Sequence, residues 1–174
     1  MSLMKRLVQG LGVLILVVVV VGLFLPRDYE VSRSIVIQAS REAVHARVGE
    51  LRAWPNWSPW LENDPTIVTT LGEKTTGVGA SQSWTSKEGP GELTFTECSL
   101  EQGIAYDMVF DNRHRSKGVM SYEDDPGGVR VTWGMTGRME LPVIGGYFCL
   151  LMDTMVGPMF DTGLSKLKTV VEAN

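Results

Sequence analysis

Histidine and cysteine are scarce in this chain of 174 residues, which has two of each. His45 and His114 show neither the H-x-x-x-H type of spacing that metal ligands adopt nor a nucleophile close by in sequence. The G-x-S-x-G, P-loop and G-x-G-x-x-G motifs are also missing. The sequence therefore predicts no metal site, no cofactor and no identifiable catalytic residue.

A net positive charge and basic runs are missing as well. The chain has 16 Lys and Arg residues against 20 Asp and Glu, a net charge of −4. Beyond Lys5 and Arg6 the balance is 14 against 20, so the rest of the chain carries −6. Such an acidic domain excludes nucleic acid as a partner, and nothing in the sequence identifies a protein partner. Two cysteines exclude a disulfide-dense mini-domain, and the predicted positions of Cys98 and Cys149 do not favour a bond between them.

Long apolar runs are missing with one exception, residues 7–25, which are nineteen consecutive residues without a charge. As a helix this segment spans about 28 Å, close to the roughly 30 Å of bilayer hydrocarbon. Lys5 and Arg6 precede it and Arg27 has acidic neighbours, so the positive-inside rule places residues 1–6 in the cytoplasm. We expect an uncleaved transmembrane signal anchor over residues 7–25; a cleaved signal peptide and a buried core helix are the alternatives.

The rest of the chain reads as one soluble domain. Residues 29–39 are rich in β-branched side chains and predict a strand, after which Ser40 offers an N-cap for a short amphipathic helix. From residue 66 apolar and polar residues alternate between turn sequences, which predicts about six antiparallel strands. A long C-terminal helix that covers the sheet, kinked or divided by Pro158, is predicted by the spacing of Phe148, Met152, Met155, Met159, Leu164, Leu167 and Val171. This order predicts an α+β fold.

Several motifs in this order carry a family resemblance. They are Trp54-Pro55-Asn56-Trp57-Ser58-Pro59-Trp60 with Asp64-Pro65, Gly77-Val78-Gly79-Ala80 with Trp84, Gly91-Glu92-Leu93-Thr94-Phe95-Thr96-Glu97, Arg130-Val131-Thr132-Trp133, and Met152-Asp153-Thr154-Met155-Val156-Gly157. Over residues 29–172 the chain resembles the SRPBCC (START-like helix-grip) superfamily, and within it the polyketide cyclase/dehydrase-like branch. The resemblance implies one helix-grip domain over residues 28–174, a curved antiparallel sheet around the C-terminal helix. Together with the anchor, it implies a single-pass protein of the bacterial inner membrane with an extracytoplasmic C-terminal domain.

The resemblance also implies a cavity between the inner face of the sheet and the long helix, and the side chains predicted to face inward suit an apolar ligand or a lipid. Methionine is frequent among them, and its flexible side chain adapts to variable apolar contents. The predicted cavity residues are Gln82, Trp84, Phe95, Glu97, Tyr106, Met108, Phe110, Met120, Tyr122, Trp133, Met135, Met152, Met155 and Met159.

Polar residues within this set are the candidates for orienting a ligand. Glu97 follows Phe95 by two positions, so it is predicted to face inward at the cavity rim or to lie hydrated at the strand end, with Cys98 on the opposite face. Tyr106 and Tyr122 either offer hydroxyls to a ligand or are ordinary core tyrosines. His45 is expected to be solvated.

Three functions remain open at this point. The first is a membrane-anchored, non-enzymatic domain that binds a hydrophobic small molecule or lipid. The second is a cyclase or dehydratase that uses the same cavity, and the third is a protein-interaction module without a usable cavity. Because the tether after residue 25 is short, Trp54, Trp57 and Trp60 either meet the lipid headgroups or pack beneath the sheet.

Overall fold

The computed structural model describes residues 2–173; Met1 and Asn174, the outer ends of the predicted cytoplasmic segment and of the predicted domain, lie outside them. The helices are α1 Ser2–Phe24, α2 Arg41–Val48, α3 Trp60–Asn63 and α4 Ile144–Glu172, with a 3-10 helix at Leu51–Asn56. The strands are β1 Asp28–Ile37, β2 Val68–Leu71, β3 Ser81–Thr85, β4 Gly91–Ser99, β5 Gly103–Phe110, β6 His114–Asp125 and β7 Gly128–Arg138. The predicted α+β helix-grip architecture is confirmed.

The seven strands form one curved antiparallel sheet in the order β1-β7-β6-β5-β4-β3-β2. β2 to β7 follow one another as a meander, and β1 closes the far edge by pairing with β7 from Asp28↔Arg138 to Ile37↔Val129. α4 lies across β1 and remains a single helix through Pro158. Of the two alternatives for Pro158, division of the helix is therefore wrong, and a kink stays a prediction.

The tryptophan-rich segment supplies the core beneath the sheet. Trp54 and Trp57 are buried, and their indole nitrogens donate to the carbonyls of Val48 and Arg47 at 2.9 and 3.2 Å, so their polar atoms are satisfied at the end of α2. Trp133 of β7 stacks on Phe160 of α4 at a centroid distance of 4.2 Å. Because Trp54 and Trp57 are enclosed, the headgroup interpretation is wrong for them, and packing beneath the sheet is what the fold adopts.

α1 stands apart from this core. Within residues 2–173 it is the one helix that is long and apolar enough, by length and composition, to cross a membrane, and almost none of its surface is covered by the rest of the chain. It touches the domain at the start of α4, where the Tyr147 hydroxyl donates to the Val18 carbonyl at 2.8 Å. Three residues, 25–27, connect α1 to β1.

Candidate functional site

The candidate site is a cavity of about 580 Å³ between the sheet, the segment from the 3-10 helix to α3, and the middle of α4. This volume lies within the range of ligand-binding pockets, roughly 300–1,000 Å³. Of its 23 lining residues, fifteen are apolar or aromatic: Leu51, Trp54, Pro55, Trp60, Leu61, Ile67, Leu71, Trp84, Leu93, Tyr106, Met108, Phe110, Met135, Met159 and Phe160. The polar remainder is Arg52, Ser58, Asn63, Asp64, Thr69, Gln82, Ser86 and Glu88.

The cavity lies toward the end of the sheet to which α1 is attached. At this end of the sheet, the first residue of β1, Asp28, pairs with the last residue of β7, Arg138. The start of β6 lies beside the end of β7, and at the β5–β6 turn Phe110 pairs with His114. Phe110 in turn pairs with Gly91 of β4, which faces Trp84 at the end of β3. Since Trp84, Phe110 and the β3–β4 turn line the cavity, its wall extends to the α1 end of the sheet.

Half of the residues predicted from sequence stand on this wall. They are Gln82, Trp84, Tyr106, Met108, Phe110, Met135 and Met159. Five others are buried in the core outside it, namely Phe95, Met120, Tyr122, Trp133 and Met152. Glu97 and Met155 are exposed.

Glu97 points away from the cavity because β4 contains a bulge. Phe95 pairs with Tyr106, but Glu97 pairs with Ala105, so Thr96 is an extra residue in β4. One inserted residue moves every later side chain to the opposite face of the sheet. The predicted inward orientation of Glu97 is therefore wrong. The side chain of Cys98 faces inward instead, where Cys98 pairs with the buried Ile104.

Met155 misses the cavity because α4 is apolar on two faces. The side toward the sheet buries Met152, Phe160 and Leu164, whereas Met155 is 53% exposed and Phe148 is 42% exposed. The sequence interpretation merged these two faces into one. Met159 alone among the later methionines of α4 reaches the cavity wall.

Tyr106 is the most enclosed polar group of the site. Its ring lies across Gly118 of β6, where an added Cβ would come within 2.0 Å of the ring, so the close approach requires glycine. Trp133 Nε1 donates to the Tyr106 hydroxyl at 3.0 Å, which leaves the hydroxyl's own proton to be donated. Burial raises the pKa of Tyr106 to about 12, so this group is a hydrogen-bond donor and not a base at neutral pH.

From the sequence, Asp64 was identified only as part of a family motif and not as a cavity residue, although its Asp-Pro-Thr context is typical of a side-chain-capped turn. It is buried on the cavity wall and accepts from Thr66 Oγ1 at 2.6 Å and from the Thr66 amide at 3.0 Å. Those hydrogen bonds, with Lys87 Nζ at 3.8 Å, lower the pKa of Asp64. The cavity therefore contains a carboxylate that stays ionised and is already engaged by its own turn.

A second polar group lies under α2, outside the cavity wall. His45 Nδ1 is 3.3 Å from the Tyr122 hydroxyl, and His45 Nε2 is 3.7 Å from Cys98 Sγ. Burial lowers the pKa of His45 and raises the pKa of Tyr122, so both groups are held neutral. The expectation that His45 is solvated is wrong, because the β4 bulge turns Cys98 inward to meet it.

Cys98 and Cys149 are free thiols, and Cys149 lies near the other end of the sheet, where it donates to the Arg27 carbonyl.

A more open hollow of about 740 Å³ lies at the end of the sheet where β1 begins. Six of its twelve lining residues are charged, and within it Arg138 pairs with Asp28 at 2.9 Å and Lys117 with Asp107 at 4.0 Å. Half of its lining residues are thus charged, against three of the 23 in the 580 Å³ cavity, and four of its six charged residues are paired with one another. The smaller cavity is the better site for an apolar ligand.

Comparison with known proteins points to one family. A family model described as "Polyketide cyclase / dehydrase and lipid transport" matches residues 28–172. No curated protein matches the chain.

Solved structures share the fold at low identity. A protein from Chromobacterium violaceum is 15% identical with a TM-score of 0.61, covering 83% of this chain and 98% of that one. The di-domain ARO/CYC StfQ from the steffimycin biosynthetic pathway is 11% identical with a TM-score of 0.65, covering 84% of this chain and 52% of that one. Ara h 8.0201 is 13% identical with a TM-score of 0.57, covering 84% of this chain and 99% of that one. At these identities the similarity is one of fold.

Proposed function

The chain belongs to the polyketide cyclase/dehydrase and lipid transport family, as its SRPBCC resemblance predicted, and we propose that it is a membrane-anchored carrier that binds a lipid or other apolar small molecule. The observation that carries the proposal is the 580 Å³ cavity with its mostly apolar wall. Burial of an apolar ligand against that wall is favourable by about 25 cal/mol per Å² of apolar surface removed from water.

The polar groups of the wall suit a ligand with one polar end. The Tyr106 hydroxyl accepts from Trp133 Nε1 and has its own proton available for a ligand, and the Gln82 side chain can both donate and accept. A few fixed polar groups in an apolar pocket orient a ligand without binding it covalently. We therefore expect an elongated apolar molecule that carries a carbonyl, carboxyl or hydroxyl group.

α1 is assigned the role of the anchor in this proposal. Its length, composition and exposure suit a transmembrane helix, and the charges at its ends favour a cytoplasmic N-terminus with the domain on the opposite side. A carbonate wash of membranes tests this role. The full-length chain should stay with the membrane pellet, and its release into the soluble fraction would contradict the anchor.

A cyclase or dehydratase in the same cavity is the second candidate, because the description of the family includes both activities. Such chemistry needs an acid or a base whose pKa lies near the working pH. In this cavity the pKa of Tyr106 is raised to about 12 and the pKa of Asp64 is lowered, so both are shifted away from neutrality. These shifts favour the carrier.

Native mass spectrometry of the full-length protein, extracted together with its surrounding lipid, tests the carrier. Met159→Trp fills the cavity from α4, and Thr162→Trp adds the same side chain one turn later at an exposed position. We expect the unsubstituted protein and T162W to retain an apolar adduct and M159W to retain about tenfold less, a loss of about 1.4 kcal/mol. The same adduct on all three proteins, or no adduct on any of them, would overturn the proposal.

A further inference from the structure

The face of α4 that points away from the sheet changes character along its length. In its first half, and just before it, this face carries Leu141, Ile144, Phe148, Leu151 and Met155, a set we call the α4 stripe. These residues recur three or four positions apart, the spacing of one helical face, and are 42–56% exposed. Exposed apolar side chains in a row mark an interaction surface.

The second half of the same face is polar. Continuing at the same spacing, it presents Thr162, Lys166 and Thr169, and Lys166 pairs with Glu62. Residues 141–152, by contrast, are twelve consecutive positions without a charge. One helix face thus has an apolar half and a polar half, and only the apolar half suits an apolar partner.

The apolar half is the half that touches α1. The Tyr147 hydroxyl donates to the Val18 carbonyl at 2.8 Å, and a Cβ added at Gly22 would lie 2.5 Å from the Val143 carbonyl oxygen. Such close approach through glycine is typical of helix contacts in membranes. Val18 precedes the end of the apolar run by seven residues, or about 10 Å of helix. The beginning of α4 therefore reaches to the depth of the last third of α1.

The chain turns sharply where it meets α1. Val143 has φ 62° and ψ −60°, and the Ile144 amide donates to the Pro142 carbonyl at 2.6 Å, which together form a γ-turn of the strained kind. A positive φ is rare and strained for a β-branched residue. The same Val143 carbonyl faces Gly22. This junction is a specific packed structure and not a frayed helix end.

We propose that the α4 stripe is a second membrane contact, with its side chains in the boundary between lipid headgroups and acyl chains of the bilayer that α1 crosses. The proposal rests on the anchor role of α1. An interfacial helix buries its apolar face about 5–10 Å into that boundary, the depth to which Tyr147 reaches along α1. Lipid is the occupant because α1, itself almost uncovered by the rest of the chain, holds this face beside the bilayer.

Spin labels on the full-length chain in phosphatidylcholine–phosphatidylglycerol vesicles test the contact. In a Cys98→Ser, Cys149→Ser background, one label is placed through Ile144→Cys or Leu151→Cys, with Thr162→Cys as the matched control on the polar half and Leu14→Cys as a reference within α1. Labels in lipid relax with oxygen and are shielded from a water-soluble nickel chelate. We expect the oxygen-to-nickel accessibility ratio at positions 144 and 151 to exceed that at 162 by about tenfold.

Other results separate the possible failures. Nickel accessibility at 144 and 151 equal to that at 162, with position 14 shielded, would overturn the stripe and leave the anchor standing. Dipolar broadening between position-144 labels on two copies would make a second chain the occupant and also overturn the proposal. Nickel accessibility at position 14 would refute both the membrane anchor and the membrane contact of the α4 stripe. Ligand binding in the cavity is tested separately, by the adduct in native mass spectrometry.

A photoactivatable lipid gives the same answer on the unsubstituted chain. After illumination in vesicles, we expect adducts on α1 and on residues 141–155 and none on residues 162–172. Adducts confined to α1 would overturn the proposal.

Discussion

Tyr106→Phe removes one hydroxyl that accepts a hydrogen bond in the core and that, in the proposed carrier, donates one to the ligand. In the core it accepts the hydrogen bond of Trp133 Nε1, an atom on a side chain with no exposed surface. The phenylalanine ring fills the same space over Gly118, so packing is unchanged and the indole N–H loses its acceptor. A buried donor left unsatisfied costs about 1–3 kcal/mol of unfolding free energy.

In the proposed carrier the same hydroxyl also donates a hydrogen bond to the ligand. A neutral hydrogen bond contributes about 0.5–1.5 kcal/mol, so loss of the hydroxyl weakens ligand binding by about two- to thirteenfold. Because burial raises the pKa of Tyr106 to about 12, the donor keeps its proton, and this loss is the same at any pH between about 6 and 9.

Tyr122→Phe is the matched control. Tyr122 is also buried and also bonded, to His45, but it lies outside the cavity wall. Denaturant unfolding of the full-length chain in detergent micelles gives the stability of each variant, and titration with a fluorescent fatty acid gives its affinity. We expect Y106F to lower both and Y122F to leave the affinity within about twofold, since only direct contacts carry this term. Equal affinities for Y106F and the unsubstituted protein would refute the cavity role of Tyr106, and an unchanged stability would refute its bond to Trp133.

Three further predictions follow from the same geometry. Burial lowers the pKa of His45, so the native state binds fewer protons than the unfolded state, and the free energy of unfolding should fall as the pH drops below about 6.5. Denaturation curves recorded over a pH series should show this fall in the unsubstituted protein and not in His45→Gln. The same fall in His45→Gln would mean that another group causes it. Glu97→Gln should leave the affinity for a fatty acid unchanged, because the bulge in β4 turns this side chain outward. Gln82→Ala should weaken the affinity by about two- to tenfold, because Gln82 lines the cavity. A loss of affinity in Glu97→Gln and none in Gln82→Ala would contradict the strand register. Arg33→Gln should lower the midpoint of thermal unfolding only slightly, because the guanidinium makes a two-bond contact with Asp153 at 2.7 and 3.0 Å that ties β1 to α4 but is open to solvent. An unchanged midpoint would mean that solvent fully screens the pair.

Period-two alternation was enough to predict the strands, since each strand has one buried and one wet face. It failed where one residue was inserted, because nothing in Thr94-Phe95-Thr96-Glu97 distinguishes a regular strand from a bulged one. The bulge decides which of Glu97 and Cys98 faces inward, so it also decides whether His45 is solvated. A local irregularity thus removed one candidate and created the Cys98, His45 and Tyr122 group.

The predictions for α4 and for the tryptophan segment failed for a different reason. Hydrophobicity alone does not tell a residue that packs on the sheet from one that contacts another apolar surface, so Met155 and Met152 looked equivalent. In the tryptophan segment, packing and a headgroup location were both compatible with the residue types. The indole hydrogen bonds of Trp54 and Trp57 to the end of α2 decide between them, and such bonds join residues that no spacing rule connects.

The strand directions bring α1 and the cavity to the same end of the sheet. β1 starts three residues after the apolar run, and the antiparallel register brings the ends of β7, β5 and β3 to that same side. The cavity wall extends to this side, α4 enters from it, and the His45 group lies toward the opposite end. If α1 crosses the bilayer, a tether of three residues spans at most about 11 Å, so the cavity cannot move far from the lipid surface. An apolar ligand then passes between acyl chains and cavity over a short path, which avoids most of the cost of hydrating it in bulk water.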